Sequence, residues 1–364
     1  MKRILLFGGT FDPIHYGHVG LLHIVKRQLL IDEVDLIPTK QPPWKVDMAP
    51  IKHRLAMINL ALEDAAYKIC TYEIEQPDIA YTIDTVRYFK HQFPDDELYY
   101  LIGSDHASVF HEWKQADELA KLAKFIVYRR PGYPLSRQSI ERFHFLIMEG
   151  KRFEVSSTRI RALQSLDMPF VIIEYIIKHN LYFSKKLQSF YDKKRFLHVM
   201  SVAKLAHDIA LSNQLDASKA TIAALLHDIA KNLDQNISQK MIMAADPSLV
   251  SAPLFSIHQF AGALLAKQEF GIVDEEILDA IRYHASAKPQ MNPLGKVLYA
   301  ADKIEPLRGF DSKPLIASCL KDYHQGFIDV LQANYEFHQE KGKPFKYDIT
   351  AEAIKYYLED KHED

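Results

Sequence analysis

Cysteine is scarce in this chain of 364 residues. There are two, Cys70 and Cys319, far apart in sequence. They cannot make a disulfide framework, and their scarcity fits a reducing, cytoplasmic setting. Charge of one sign is lacking as well. The 45 Lys and Arg stand against 47 Asp and Glu, a formal net charge of −2. Such a balance gives no general attraction for nucleic acid. No apolar run reaches eighteen residues, so no membrane span is expected. The apolar run behind Met1-Lys2-Arg3 is four residues long, too short for a signal segment. Low-complexity tracts and fixed-period repeats are missing too. What remains is a chain that is 48% apolar and too long for one ordinary core, so two domains are expected.

Up to residue 184 the pattern alternates between strand and helix. Strand candidates are Arg3–Phe7, Val34–Pro38, Ile69–Glu73, Leu98–Ile102, Phe125–Tyr128 and Phe153–Val155, with amphipathic helices such as Ile51–Glu63 and Thr82–Phe93 between them. Alternation of this kind predicts an α/β fold with a doubly wound parallel sheet, whose ligands bind at the carboxyl ends of the strands. From 185 to 364 the pattern is helical throughout and predicts an all-α domain. Its candidate helices include Phe196–Leu211, Ala217–Lys231, Ile257–Phe270, Glu275–Ser286 and Leu294–Ile304. The join around Ser184-Lys185-Lys186 is short and polar.

The most specific segment is Gly8-Gly9-Thr10-Phe11-Asp12-Pro13-Ile14-His15-Tyr16-Gly17-His18, between an apolar strand and a run with helical spacing. The glycines let backbone approach an anion closely. A helix start offers free N–H groups and a positive dipole end, and His15 and His18 can donate to phosphate oxygens. Four further segments sit where such a site would need them. Lys45 follows the second strand on a loop and can reach a triphosphate or lie solvated. Gly103-Ser104-Asp105 ends the fourth strand, where a carboxylate can hold ribose hydroxyls. Trp113 suits stacking on a flat heterocycle or core packing, and Arg130 suits a phosphate clamp or solvent. Ser156-Ser157-Thr158-Arg159-Ile160-Arg161 caps a helix with hydroxyls and brings arginines one turn later.

Together these motifs resemble nicotinate-mononucleotide adenylyltransferase, a Rossmann-like nucleotidylyltransferase. The resemblance implies transfer of AMP from ATP, with Mg²⁺, to nicotinate mononucleotide. It implies that His15, His18, Lys45 and Arg161 surround the triphosphate. Gly8, Gly9, Thr10, Phe11, Asp12, Ser156, Ser157 and Thr158 would hold ATP, with Gly103, Ser104, Asp105 and Arg130 nearby. Thr82 and Trp113 would line the mononucleotide site. Trp44 stands where the family carries histidine. Preference for nicotinamide mononucleotide stays open.

In the second half, His227-Asp228 sits in an apolar helical context, where burial is costly unless both are paired or bind metal. With His198 before it and Asp302 after it, the order resembles the HD superfamily of metal-dependent phosphohydrolases. His258 and His284 fall between. Six N and O ligands exceed one tetrahedral site and suggest two metals, for which iron, manganese or zinc would be suitable. The run Ala301-Asp302-Lys303-Ile304-Glu305-Pro306 extends the resemblance to the YqeK-type HD domain. That implies symmetric hydrolysis of diadenosine tetraphosphate to two ADP at a di-iron centre, with His198, His227, Asp228, His258, His284 and Asp302 as ligands and Asp228 central to catalysis. Arg195 and Lys231 would hold the polyphosphate. After His284 the run Ala285-Ser286-Ala287 departs from the family's H-T-x-G. Another nucleotide substrate, or a sensor without turnover, stays open for this half.

Overall fold

The computed structural model describes residues 1–40, 48–62, 67–130, 132–148, 155–342 and 348–360. The chain divides into two compact units, Met1–Ser157 and Thr158–Asp364.

The first unit is built on a parallel sheet of six strands: β1 (Arg3–Gly9), β2 (Glu33–Pro38), β3 (Tyr67–Ile69), β4 (Glu97–Gly103), β5 (Lys124–Tyr128) and β6 (Leu146–Met148). Their order is β3-β2-β1-β4-β5-β6. Ile4, Leu5 and Leu6 of β1 are wholly buried, as a central strand covered on both faces requires. Leu6 lies opposite Asp35 on one side and Tyr100 on the other. The order reverses between β1 and β4, the place where sheets of this kind leave a crevice at the carboxyl ends of the strands. The glycine turn follows β1 there, and Gly103 ends the neighbouring β4. Behind β4 and β5, Phe110 packs its ring 4.7 Å from Phe125, 4.8 Å from Phe143 and 5.2 Å from Phe145.

Two strand expectations need correction. β3 stops at Ile69, and Tyr72–Glu75 is a helical turn, closed by N–H groups of Ile74 and Glu75 donating to the Thr71 carbonyl. β6 is a three-residue edge strand beside β5, too short to leave a pattern. Of the expected Phe153–Val155 strand, residues 153 and 154 lie outside the described residues, and Val155 is in no strand.

The second unit is helical, as expected. Six of its helices begin at an Asp or Asn whose side chain accepts a first-turn N–H: Asp192, Asp216, Asp234, Asp274, Asn292 and Asp322. Two helices end earlier than their pattern suggests. Ala217–Leu226 stops before His227, and Glu275–Tyr283 before His284. In both, the histidine bonds back to its own last turn, as described below. The unit also takes in the Phe170–Lys178 helix, ahead of the polar join at 184. Ile172, Ile173 and Ile176 are wholly buried, Phe170 packs 5.2 Å from the His207 ring, and the Leu166 N–H donates to Ser218 Oγ at 2.7 Å.

No helix among the described residues is long and apolar enough to cross a membrane. Cys70 and Cys319 are free thiols in different units.

Candidate functional sites

At the crevice of the sheet unit, His15 opens the Tyr16–Gln28 helix, and its N–H donates to His18 Nδ1 at 3.3 Å. The two imidazoles stack at 3.8 Å. Gly17 makes that stacking possible, because a Cβ there would stand 3.0 Å from the His15 ring and 2.7 Å from Val155 Cγ1. Burial, then the charge of Arg130, pushes His15 down to about 4. Burial, then His15 and Arg130, holds His18 well below its ordinary value. Both are therefore neutral near pH 7 and act as hydrogen-bonding groups, not as fixed charges. His15 Nδ1 is buried with no hydrogen bond among the described residues.

Across the crevice, Arg130 Nη1 pairs with Asp105 Oδ2 at 2.9 Å, and Asp105 Oδ1 is buried without a partner among the described residues. Gly103 makes room, since a Cβ would meet Asp105 Oδ1 at 2.2 Å and Arg130 Nε at 2.9 Å. Ser104 is turned inward instead: its Oγ accepts the Arg130 N–H at 2.8 Å. Asp12 Oδ1 accepts the Ala49 N–H, and Ser157 Oγ donates to the Pro13 carbonyl. A Cβ on Gly8 would meet the Tyr100 hydroxyl at 2.4 Å, and one on Gly9 the Phe11 ring at 3.1 Å. Phe11 itself adopts φ 45°, in the left-handed region. Thr82 is the first residue of its helix, and Trp113 packs 5.0 Å from the Phe110 ring while staying half-buried. Thr158 and Arg161 open the second compact unit, with Arg161 Nη2 donating to Thr158 Oγ1 at 3.2 Å. Ser156 precedes that helix, and Lys45 lies outside the described residues.

The sequence did not reveal Arg54. It sits on the Ile51–Ala61 helix, is 2% exposed, and donates to the carbonyls of Thr10, Thr39 and Ala49. It ties together the backbone around the glycine turn. On a helix it reads as one more solvated charge.

In the helical unit, all six expected ligands converge. Asp228 lies between two groups. Its Oδ2 faces His227 Nε2 at 3.6 Å and His198 Nε2 at 3.9 Å, while its Oδ1 faces His258 Nε2 at 3.3 Å and His284 Nε2 at 3.6 Å. Asp302 Oδ1 completes the first group, 3.2 Å from His198 and 3.8 Å from His227. Three imidazoles have Nδ1 committed elsewhere. His227 meets the Ala224 carbonyl at 2.6 Å, His284 the Ile281 carbonyl at 2.8 Å, and His198 the Glu305 carboxylate at 3.0 Å. Those bonds fix the tautomer and aim Nε2 inward.

Burial pushes His227 and His258 down to about 4, so each presents a neutral nitrogen. Burial opposes the charge on Asp228, but the imidazoles of His227, His258 and His284 outweigh it and hold the carboxyl far below its usual range. His227 Nε2 is wholly buried and makes no hydrogen bond among the described residues. The sets His198, His227, Asp302 and His227, Asp228, His284 each bring their ligand atoms within 4.8 Å. An orphaned buried nitrogen among carboxylates fits a divalent metal.

Cations surround this anionic core. Arg195 Nη1 bonds Asp228 Oδ2 at 2.7 Å, Arg308 Nη2 bonds Asp302 Oδ1 at 2.5 Å, and Lys303 Nζ bonds Asp302 Oδ2 at 3.0 Å. Lys231 Nζ lies 3.1 Å from His258 Nε2. Arg195 and Lys231 were foreseen. Glu305 and Arg308 were not, although both stand in the run that follows Asp302.

Comparison with known proteins matches residues 6–163 to the cytidylyltransferase-like family and residues 195–307 to the HD domain. A Mycoplasma genitalium protein described as "Probable nicotinate-nucleotide adenylyltransferase/Ap4A hydrolase" is 31% identical over 91% of this chain and 97% of its own length. A Bacillus pumilus protein described as "Probable nicotinate-nucleotide adenylyltransferase" is 36% identical over 50% of this chain and 99% of its own. A Clostridium acetobutylicum crystal structure titled "predicted HD superfamily hydrolase involved in NAD metabolism" is 29% identical, with TM-score 0.45, over 52% of this chain and 97% of that one.

Proposed function

The chain belongs to the family that joins a cytidylyltransferase-like nucleotidyltransferase to an HD-domain hydrolase, and from that premise we propose how its two halves divide the chemistry. The transferase module spans 1–184 and adenylylates nicotinate mononucleotide. The hydrolase module spans 185–364 and cleaves diadenosine tetraphosphate to two ADP. The names of the relatives support both substrates, and two free cysteines support a cytoplasmic setting.

In the transferase module a phosphate oxygen of the mononucleotide attacks the α-phosphorus of ATP, and pyrophosphate leaves. No protein nucleophile is needed. The chain positions both phosphates and meets the charge that grows on the leaving group. Neutral His15 and His18 donate hydrogen bonds, Arg130 and Lys45 bring charge with Arg161, and the Asp105 carboxylate receives ribose hydroxyls. Trp113 and Thr82 border the pyridine ring. Mg²⁺ accompanies the ATP.

In the hydrolase module His198, His227 and Asp302 would hold one cation and His258 and His284 a second, with Asp228 placed between the two groups. Iron is the metal that the resemblance favours. When bound, cations there would supply Lewis-acid activation of a water and neutralise the oxygens that enter and leave. Arg195, Lys231, Lys303 and Arg308 offer a cationic rim to a polyphosphate, which suits a substrate with several phosphates better than one with a single phosphate.

One observation carries the hydrolase reading: the two oxygens of Asp228 face two different pairs of imidazoles. Product analysis with the iron-loaded full chain and diadenosine tetraphosphate tests it. ADP as sole product is expected. ATP plus AMP would overturn the symmetric geometry, and no turnover by metal-loaded protein would overturn the substrate.

A further inference from the structure

Each half of the helical centre has one histidine bonded back to its own last turn, His227 at Ala224 and His284 at Ile281, and the halves differ in how the second histidine is placed. The first is oriented by Glu305 on His198 and by the Ala224 carbonyl on His227. In the second, His258 is the second residue of the Ile257–Phe270 helix, and His284 lies just past the end of the Glu275–Tyr283 helix. Nothing local to either backbone sets the distance between one helix start and another helix end. Yet His258 Nε2 and His284 Nε2 stand 3.2 Å apart. Two nitrogens bound to one cation at about 2.1 Å are roughly 3.0–3.4 Å apart for right-angle to tetrahedral geometry, so this spacing suits a shared ion.

Gln259 spans the gap. It follows His258, is wholly buried, and uses both ends of its amide on the two residues after His284. Nε2 donates to Ser286 Oγ at 3.0 Å, and Oε1 accepts the Ala285 N–H at 3.1 Å. Ser286 is itself 1% exposed. A buried amide with both ends satisfied has one low-energy placement, because any shift strands a polar atom. One turn on, Gly262 lets the same helix approach. A Cβ there would stand 3.3 Å from the His227 carbonyl oxygen and 3.4 Å from Ile281 Cγ2. This latch uses the stretch where the sequence departs from the family's H-T-x-G.

We propose that Gln259 is the positioning residue of the second cation site: its amide locks the His258 helix to the turn after His284 and sets the spacing of the two imidazoles. The proposal rests on the two-cation reading above. Manganese(II) serves as probe, titrated into the metal-free full chain and counted by elemental analysis after desalting. The unsubstituted chain is expected to hold two ions. A single ion there would overturn the two-cation reading itself, separately from the role of Gln259.

With two ions established, Gln259→Ala is expected to weaken one by about 10-fold or more, as loss of an orienting group does. The other ion keeps its affinity within about twofold. Gln259→Glu keeps an acceptor for the Ala285 N–H and accepts from the Ser286 hydroxyl, so it should restore the second ion. If Gln259→Ala does not fold, Ser286→Ala removes one bond of the latch and should weaken the same ion alone. Two ions held as tightly as before would overturn the proposal. Equal weakening of both ions would also overturn it, because that is what a merely structural role gives.

Discussion

Burial pushes the Glu73 carboxyl up to about 7, although Thr85 Oγ1 donates to it at 2.9 Å. Its folded value lies above the ordinary 4.5, so the folded chain binds this proton more tightly than the unfolded chain does. The stability it contributes is full below pH 4.5 and is lost as pH rises through about 7. The gap corresponds to about 3 kcal/mol. Glu73→Gln keeps an acceptor for Thr85 and cannot ionise. It should raise the unfolding free energy of the sheet unit by about 3 kcal/mol at pH 8 and change it little at pH 4.5. Denaturant unfolding at both pH values checks this, and a gain that does not depend on pH would refute the buried-charge account. His15 runs the other way. Its value of about 4 lies below 6.5, so its contribution is full above 6.5 and is lost as pH falls toward 4. Buried groups such as Glu73 were the least legible in the sequence. His15, His18 and the six metal-type ligands stood out because their spacing and neighbours are unusual. Glu73, Arg54 and Gln259 act by reaching distant backbone or side chains, and such reach leaves no local pattern; Glu305 stood inside a motif, but its bond to His198 did not show there.

The Ile51–Ala61 helix has a role that its sequence hides. Arg54 carries a guanidinium from it to the carbonyls of Thr10, Thr39 and Ala49, so one helix fixes the turn after β1 and the end of β2 together. Arg54→Ala would leave three carbonyls short of a donor. The expected cost is about 3 kcal/mol or more, with a raised KM for ATP and no change in polyphosphate hydrolysis. Denaturant unfolding and steady-state kinetics on both substrates measure it, and unchanged ATP affinity would count against a link to the glycine turn. Elements with a strong period were legible: β1, β2, β4, β5 and the helices Lys193–Ser212, Ile257–Phe270 and Pro293–Ile304 lie close to where the pattern placed them. Ile69–Glu73 and the ends at His227 and His284 were not, because hydrogen bonds to Thr71 and from the two imidazoles decide them, not periodicity.

At the scale of the molecule, the two proposed chemistries rest on separate residue sets, which fall in separate compact units except for Thr158 and Arg161 at the start of the second. His18→Ala is expected to lower adenylyl transfer by about 100-fold or more and leave hydrolysis intact. His227→Ala should do the reverse. Both assays on both purified variants check this, and a joint loss in either folded variant would show that the halves depend on each other.

The Phe170–Lys178 helix gives this division an asymmetry. The cytidylyltransferase-like match runs to residue 163, yet everything from Thr158 onward packs with the helical unit. On the proposed assignment of Thr158 and Arg161 to the ATP site, a cut after Ser157 would strip the transferase of both. A cut after Ser184 would take Phe170 from His207 and the Leu166 amide from Ser218. On that assignment neither scission leaves both halves with their full complement, so the stretch from Thr158 to Ser184 would be common property, and the fusion easier to inherit whole than to undo.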